Sequence, residues 1–296
     1  MRGHEGLSLG AGVRAARWPS TVPSMRFAAL ALLALTPLGC KASSATGYTP
    51  PAYEDAGVPP SLVAFPSGAR TLHGFLYRPR GDGPFPAVVY NHGSERWPGT
   101  KRDEAVFYAS RGFVLFVPHR RGQGESSDAG EYVGQHAWDH ARVVADLVAQ
   151  TDDVMAAVEY LRSLSYVDGA RVAVAGCSFG GIVSLLAAER GGGIKAAVDF
   201  AGGAMSWAKS PELQERMKQA ARGAQVPVFF IQAANDFDTT PSLVLSEEMR
   251  RAGKPARVHV FPPNGSTPQE GHHLCWGGEH PAWGDEVLEF LRQSVQ

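Results

Sequence analysis

Three residues of the kinds that pass a proton between them during acyl transfer stand in the order Ser178, Asp236, His272. Ser178 is the centre of Gly176-Cys177-Ser178-Phe179-Gly180, which follows the apolar, β-prone run Val172-Ala173-Val174-Ala175 and precedes a helix-prone run ending near Ala188. Gly-x-Ser-x-Gly between a strand and a helix is the pattern of a nucleophile elbow. Such a turn holds its serine in strained backbone, and a side chain at 176 or 180 would strike the neighbouring strand or helix. The turn lifts Oγ clear of the sheet and aims the first amides of the next helix at the space beside it, which suits a developing negative charge.

A serine hydroxyl is a poor nucleophile without a base, and this elbow implies the chain order serine, acid, histidine. Asp236 follows the apolar run Pro227 to Ala233 and is the expected acid, with Asp238 in the same loop as second choice. Either would otherwise serve as a turn or capping aspartate ahead of Thr239-Thr240-Pro241. His272, directly after Gly271 on a loop beyond the next strand, is the expected general base, ahead of His273. Paired histidines also make half a metal site, but neither a carboxylate nor a third histidine stands at ligand spacing, so no metal and no cofactor are expected. The run Val88-Val89-Tyr90-Asn91-His92-Gly93-Ser94 supplies the rest of an oxyanion hole. There Gly93 lets the backbone approach the reacting carbonyl, the Ser94 amide acts with that of Phe179, and the His92 imidazole is structural.

The elements that must position these groups alternate. Ser61 to Phe65 and Arg70 to Tyr77 read as a hairpin turned at Pro66-Ser67-Gly68. Strands are expected at 86–90, 113–117, 172–176, 195–200, 227–233 and 257–261, and helices at 103–111, from Thr151-Asp152-Asp153 onward, after Ser178, at 211–222, from 241 to Gly253, and at 285–292. The fold class is α/β, a mostly parallel twisted sheet with helices on both faces. In such a sheet ligands bind at the carboxyl ends of the strands, where Ser178 falls.

With 296 residues, 44% of them hydrophobic and 19% charged, and a net charge of -1, the chain reads as an ordinary globular protein with no feature that calls for nucleic acid. Residues 1–40 are set aside as an export segment, because Met25-Arg26 precedes an apolar run from Phe27 to Leu38 that is too short to span a bilayer. Met25 competes with Met1 as the start of translation. Leu38-Gly39-Cys40 looks like a bacterial lipobox, although Pro37 departs from its usual leucine, and makes Cys40 the candidate for lipidation. Residues 41–60, rich in Ser, Ala, Thr and Pro, read as a flexible linker, and 61–296 as a single catalytic domain. The expected location is outside the cytoplasm, as a periplasmic or cell-surface lipoprotein or a secreted soluble form, with contact to membrane only through the lipid.

Tyr90-Asn91-His92-Gly93, Arg121-Gly122-Gln123-Gly124-Glu125-Ser126, Gly176 to Gly181, Asn235-Asp236 and Gly271-His272 together resemble the α/β-hydrolase fold over about Leu62 to Leu291. More narrowly they resemble the dienelactone-hydrolase-like and prolyl-oligopeptidase-like branch. Dienelactone hydrolases proper use a cysteine nucleophile, whereas this elbow centres on Ser178, and there is no room here for the propeller of prolyl oligopeptidases. The resemblance implies a serine esterase acting on a small ester. Its alternatives are a small peptidase of the prolyl-oligopeptidase type and an inactive surface binding protein on the same fold.

Cys177 and Cys275 each stand beside a member of the proposed triad. In an exported chain they are either bridged, as in the related glucuronoyl esterases that this arrangement resembles, or two free buried thiols. Trp97, Trp207 and Trp276 lie on strand-end loops and either wall a substrate pocket or simply pack.

Overall fold

The computed structural model describes residues 60–278 and 280–295. The export segment, Cys40 and all of the linker before Pro60 lie outside the described residues. The domain is built on one eight-stranded sheet in the order β1-β2-β4-β3-β5-β6-β7-β8. The strands are β1 (Ser61–Ser67), β2 (Arg70–Tyr77), β3 (Phe85–Asn91), β4 (Val114–His119), β5 (Val167–Cys177), β6 (Ile194–Phe200), β7 (Val228–Ala233) and β8 (Ala256–Phe261). The β1–β2 and β2–β4 pairs are antiparallel and all the others are parallel.

The helices are α1 (Arg102–Ala109), α2 (His140–Arg162), α3 (Phe179–Arg190), α4 (Pro211–Gly223), α5 (Thr240–Arg251), α6 (Pro268–His272) and α7 (Gly284–Ser294). They cover both faces, which is why the central strands carry unbroken apolar runs instead of an alternating pattern. In β3, Ala87 and Val89 join the core shared with α2 to α5, while Val88 and Tyr90 join the one shared with α1 and α7. Each fully buried Val or Leu of this kind contributes about 1.5–3 kcal/mol.

Three expectations need correction. The hairpin turns at Gly68-Ala69, with Gly68 at φ 58°, and Pro66 stays paired with Thr71 in the edge strand, where its missing N–H is harmless. Helix α2 starts eleven residues before Thr151, because the Asp139 side chain caps the amide of Arg142 at 3.0 Å. The acids read as its first turn lie inside it and form long-range ion pairs: Asp152 with Arg190, and buried Asp153 with Arg121 while also accepting from Ser67 Oγ at 2.7 Å. His272 sits not on a plain loop but at the end of α6, a five-residue helix begun by a Thr267/Glu270 capping box.

Candidate active site

Strand β5 ends at Cys177 and α3 starts at Phe179, leaving Ser178 alone at the corner with φ 58° and ψ -119°. An L-residue with positive φ stores about 1–3 kcal/mol of strain, held only where the surroundings dictate it. They do so here. The Ser178 amide donates to the Phe200 carbonyl at 2.8 Å. A side chain at Gly176 would overlap the Gly180 carbonyl, and one at Gly180 the Asn91 carbonyl. Asn91 Nδ2 donates to Ser184 Oγ at 2.9 Å, and that hydroxyl donates to the Gly180 carbonyl at 2.7 Å, so the end of β3 is pinned to the first turn of α3.

The acid and the histidine meet across the ends of β7 and β8. His272 Nδ1 lies 2.9 Å from Asp236 Oδ1, and both residues are buried. With Nδ1–H donating to the carboxylate, Nε2 is the nitrogen left to accept a proton. The second-choice acid, Asp238, takes the capping role, its Oδ1 accepting from the Thr240 amide at 2.8 Å. His273 accepts from Gln269 Nε2 at 2.7 Å and stacks on Trp276, ring centroids 3.5 Å apart; burial and the neighbouring His272 hold its imidazole below the ordinary value.

Asn235 locks the two loops together. Its side chain accepts from the Asn264 amide at 2.9 Å and donates to the Asn264 and Thr267 carbonyls at 3.1 and 3.0 Å. A side chain at Gly271 would come within 2.7 Å of the Asn235 backbone, which is why glycine precedes His272.

Ser178, His272, Ser94, Glu95, Met205 and Trp276 line one open cleft of about 270 Å³. Among the described residues no hydrogen bond joins the Ser178 hydroxyl to His272, and such bonds often tighten only when substrate arrives. The Phe179 and Ser94 amides likewise find no protein acceptor among the described residues. A second pocket of about 190 Å³ adjoins, lined by Phe179, Met205, Val143, Val144, Leu213 and Lys209. Of the three tryptophans only Trp276 lines the cleft; Trp207 is buried in the core, and Trp97 is 66% exposed, with the Arg96 guanidinium over its ring.

Gly93 lines the same cleft as Ser178. The nearest atom to a side chain there would be the Glu95 carboxylate, at 2.7 Å. Burial pushes the Glu95 carboxyl up, but Lys101, bonded to it at 2.9 Å, more than offsets this and the net direction is down. His92 is buried, and desolvation followed by the charge of Arg120 holds it well below the ordinary histidine value, so it is neutral. Cys177 and Cys275 are joined in a disulfide with Cα atoms 5.8 Å apart. Of the two open readings of those cysteines, the bridged one is the arrangement the structure has. No group of three His, Cys, Asp or Glu side chains suited to a metal ion occurs among the described residues.

The model of the dienelactone hydrolase family matches residues 72–266, well over half of the chain, taking in Ser178 and Asp236 and stopping short of His272. The uncharacterized peptidase YtmA of Bacillus subtilis (strain 168) is 23% identical over 235 residues, 68% of this chain and 86% of that protein. The acylaminoacyl peptidase of Pyrococcus horikoshii superposes with a TM-score of 0.62 at 18% identity, covering 80% of this chain and 41% of that one. A puromycin-hydrolyzing peptidase of Mycobacterium tuberculosis does so with a TM-score of 0.61 at 19% identity, covering 85% and 42%. The chain therefore spans about two fifths of the length of these two solved peptidases, and the likeness to them is one of fold. On the family match, the chain belongs to the dienelactone hydrolase family and is a hydrolase of the α/β-hydrolase superfamily.

Proposed function

We propose that the chain cleaves carboxylic esters of small molecules through an acyl-enzyme on Ser178. The observation that carries this is the buried Asp236–His272 pair, 2.9 Å apart, opening onto the same cleft as a serine held on a strained elbow. Ser178 Oγ attacks the ester carbonyl while His272 Nε2 takes its proton. Asp236 holds the ring in the required tautomer and stabilises the imidazolium. The Ser94 and Phe179 amides receive the oxyanion, a role in which one donor is typically worth about 3 kcal/mol. His272 then protonates the leaving alcohol, and water repeats the sequence to release the acid. These steps use protein groups alone, and the apolar pocket beside Phe179 suits the acyl chain.

A second reading, a small peptidase of the prolyl-oligopeptidase type, is favoured by the peptidase names among the similar proteins. The lipobox-like run ending at Cys40 supports export with the catalytic domain tethered outside the cytoplasm. The test is to label the chain with a fluorophosphonate, locate the modified residue by mass spectrometry, and compare ester with amide turnover. Labelling at Ser178 with ester turnover that falls at least ~10³-fold in S178A is the expected result. Faster turnover of amides than of matched esters would favour the peptidase, and a folded chain that neither labels nor turns over would leave the binding-protein alternative.

A further inference from the structure

Arg120 follows β4 directly and is fully buried. Its neighbour Arg121 takes the carboxylate of Asp153, while no carboxylate is bonded to Arg120 among the described residues. A buried cation with no carboxylate bonded to it is costly, even with the charges of Glu95 and Asp153 acting on it from a distance. Burial pushes this guanidinium down to about 10, which leaves it charged at neutral pH.

Its partners show where the charge is directed. Nε donates to Gln150 Oε1 at 2.9 Å, which fixes the plane of the fork, and Nη2 donates to the Gly93 carbonyl at 2.9 Å. His92 Nδ1 lies 3.0 Å from that same oxygen. The next two carbonyls of the loop are also held from the protein side. Ser94 O accepts from the Tyr132 hydroxyl at 2.7 Å and Glu95 O accepts from Gln123 Nε2 at 2.8 Å. The Gly93–Ser94 peptide is trans, so its N–H points opposite to its C=O. Drawing Gly93 O back onto Arg120 therefore turns the Ser94 N–H away from the core, toward the cleft that Ser94 shares with Ser178.

We propose that Arg120 is a positioning residue for the oxyanion hole: acting through the Gly93 carbonyl, it fixes the peptide that presents the Ser94 amide and places a desolvated positive charge behind the developing oxyanion. This rests on the acyl-transfer reading above and deepens it. A cation bonded to a carbonyl also draws electron density through the amide, which makes the N–H on the far side a stronger donor. In a dry site such an arrangement acts without reorganisation during reaction.

The experiment uses the full chain with R120Q and R120K. It reads kcat and KM for an activated ester per fluorophosphonate-titrated site, together with inhibition by a trifluoromethyl ketone that becomes a tetrahedral oxyanion on Ser178. R120Q is expected to lower kcat by about 30- to 100-fold at little-changed KM and to weaken the ketone in proportion, within the range for loss of an oxyanion donor. R120K, which keeps the charge but loses the fork, should fall between R120Q and wild type. A role confined to folding would lower the titratable fraction and leave kcat per site and ketone inhibition unchanged, which overturns the inference. Should R120Q not fold, R120K decides alone: a parallel loss of kcat and ketone affinity of about fivefold or more supports it, and neither changing rejects it. A wild-type chain that turns over no acyl substrate rejects the acyl-transfer reading and this inference together, whereas an active wild type with unaffected Arg120 variants rejects the inference alone.

Discussion

The side-chain amide of Gln232 donates to Oδ2 of Asp236 at 3.0 Å, while Oδ1 of the same carboxylate faces His272. Gln232 in turn accepts from Ser242 Oγ at 2.7 Å and donates to the Asp238 carbonyl at 2.7 Å, so it links the acid to both its own loop and the start of α5. Replacing it by Leu leaves the carboxylate free to rotate and strands the Ser242 hydroxyl. Steady-state kinetics should show kcat about tenfold lower with KM little changed, and urea unfolding a loss of about 1–3 kcal/mol. Unaltered kcat in a folded Q232L chain would show that Asp236 needs no such brace.

The Cys177–Cys275 bridge closes a sequence separation of 98 residues. Cross-links of this kind stabilise by about 2–4 kcal/mol, mostly by restricting the unfolded chain. Unfolding in urea with and without a thiol reductant should differ by that amount in wild type and not at all in C275S. Activity should fall on reduction as well, because Cys177 adjoins Ser178, the proposed nucleophile, and Cys275 follows His272, the proposed base, by three residues. Equal stability in both conditions would refute a constraining role.

Asp199 lies fully buried at the end of β6, with Gly202 N–H on Oδ1 at 2.8 Å and no partner on Oδ2. Burial pushes its carboxyl up to about 7, so between pH 4 and 7 the folded chain holds a proton that the unfolded chain has released. Stability must then fall as pH rises through that window, with a slope of at most about 1.4 kcal/mol per pH unit from this group. D199N should remove that slope in denaturation curves between pH 4 and 7. A variant as pH-sensitive as wild type would place the titration elsewhere.

Ser178 and the elbow offer a test of stored strain. S178A and S178G should both be inactive, but glycine tolerates φ 58° and alanine does not. Relief of strain outweighs the greater freedom of glycine in the unfolded chain, so S178G should be the more stable by about 1 kcal/mol in calorimetry or urea titration. The reverse order would mean that the turn is not strained.

The parts of the site legible in the sequence are those whose constraint is local. Gly176 and Gly180 are required by a turn five residues long, and Gly271 by the approach of Asn235, so the nucleophile and the histidine announce themselves through their flanking glycines. Asp236 and Asp238 both satisfy the order serine, acid, histidine, and the structure shows why both are present: one faces His272, the other caps α5. Nothing local marks Arg120, because its partners come from other elements, up to 30 residues away in sequence, and Gln232 is hidden in an apolar strand although its partners lie within ten residues. The start of α2 is masked for the same reason as Arg120. Acids at 152 and 153 look like a first turn, whereas their charges are committed to Arg190 and Arg121 on other elements. Trp207 likewise carries no sign in sequence of whether it packs or binds, and it packs.

The chain contains three cysteines, Cys40, Cys177 and Cys275, and so admits three single-bridge isomers, of which one is the bridge seen here. Any event that withdraws Cys40 from thiol chemistry, whether lipidation of its sulfur or cleavage on its carboxyl side, removes two of the three and leaves oxidation a single intramolecular product. Processing of that kind would act as proofreading for the bridge that joins the Ser178 elbow to the His272 segment.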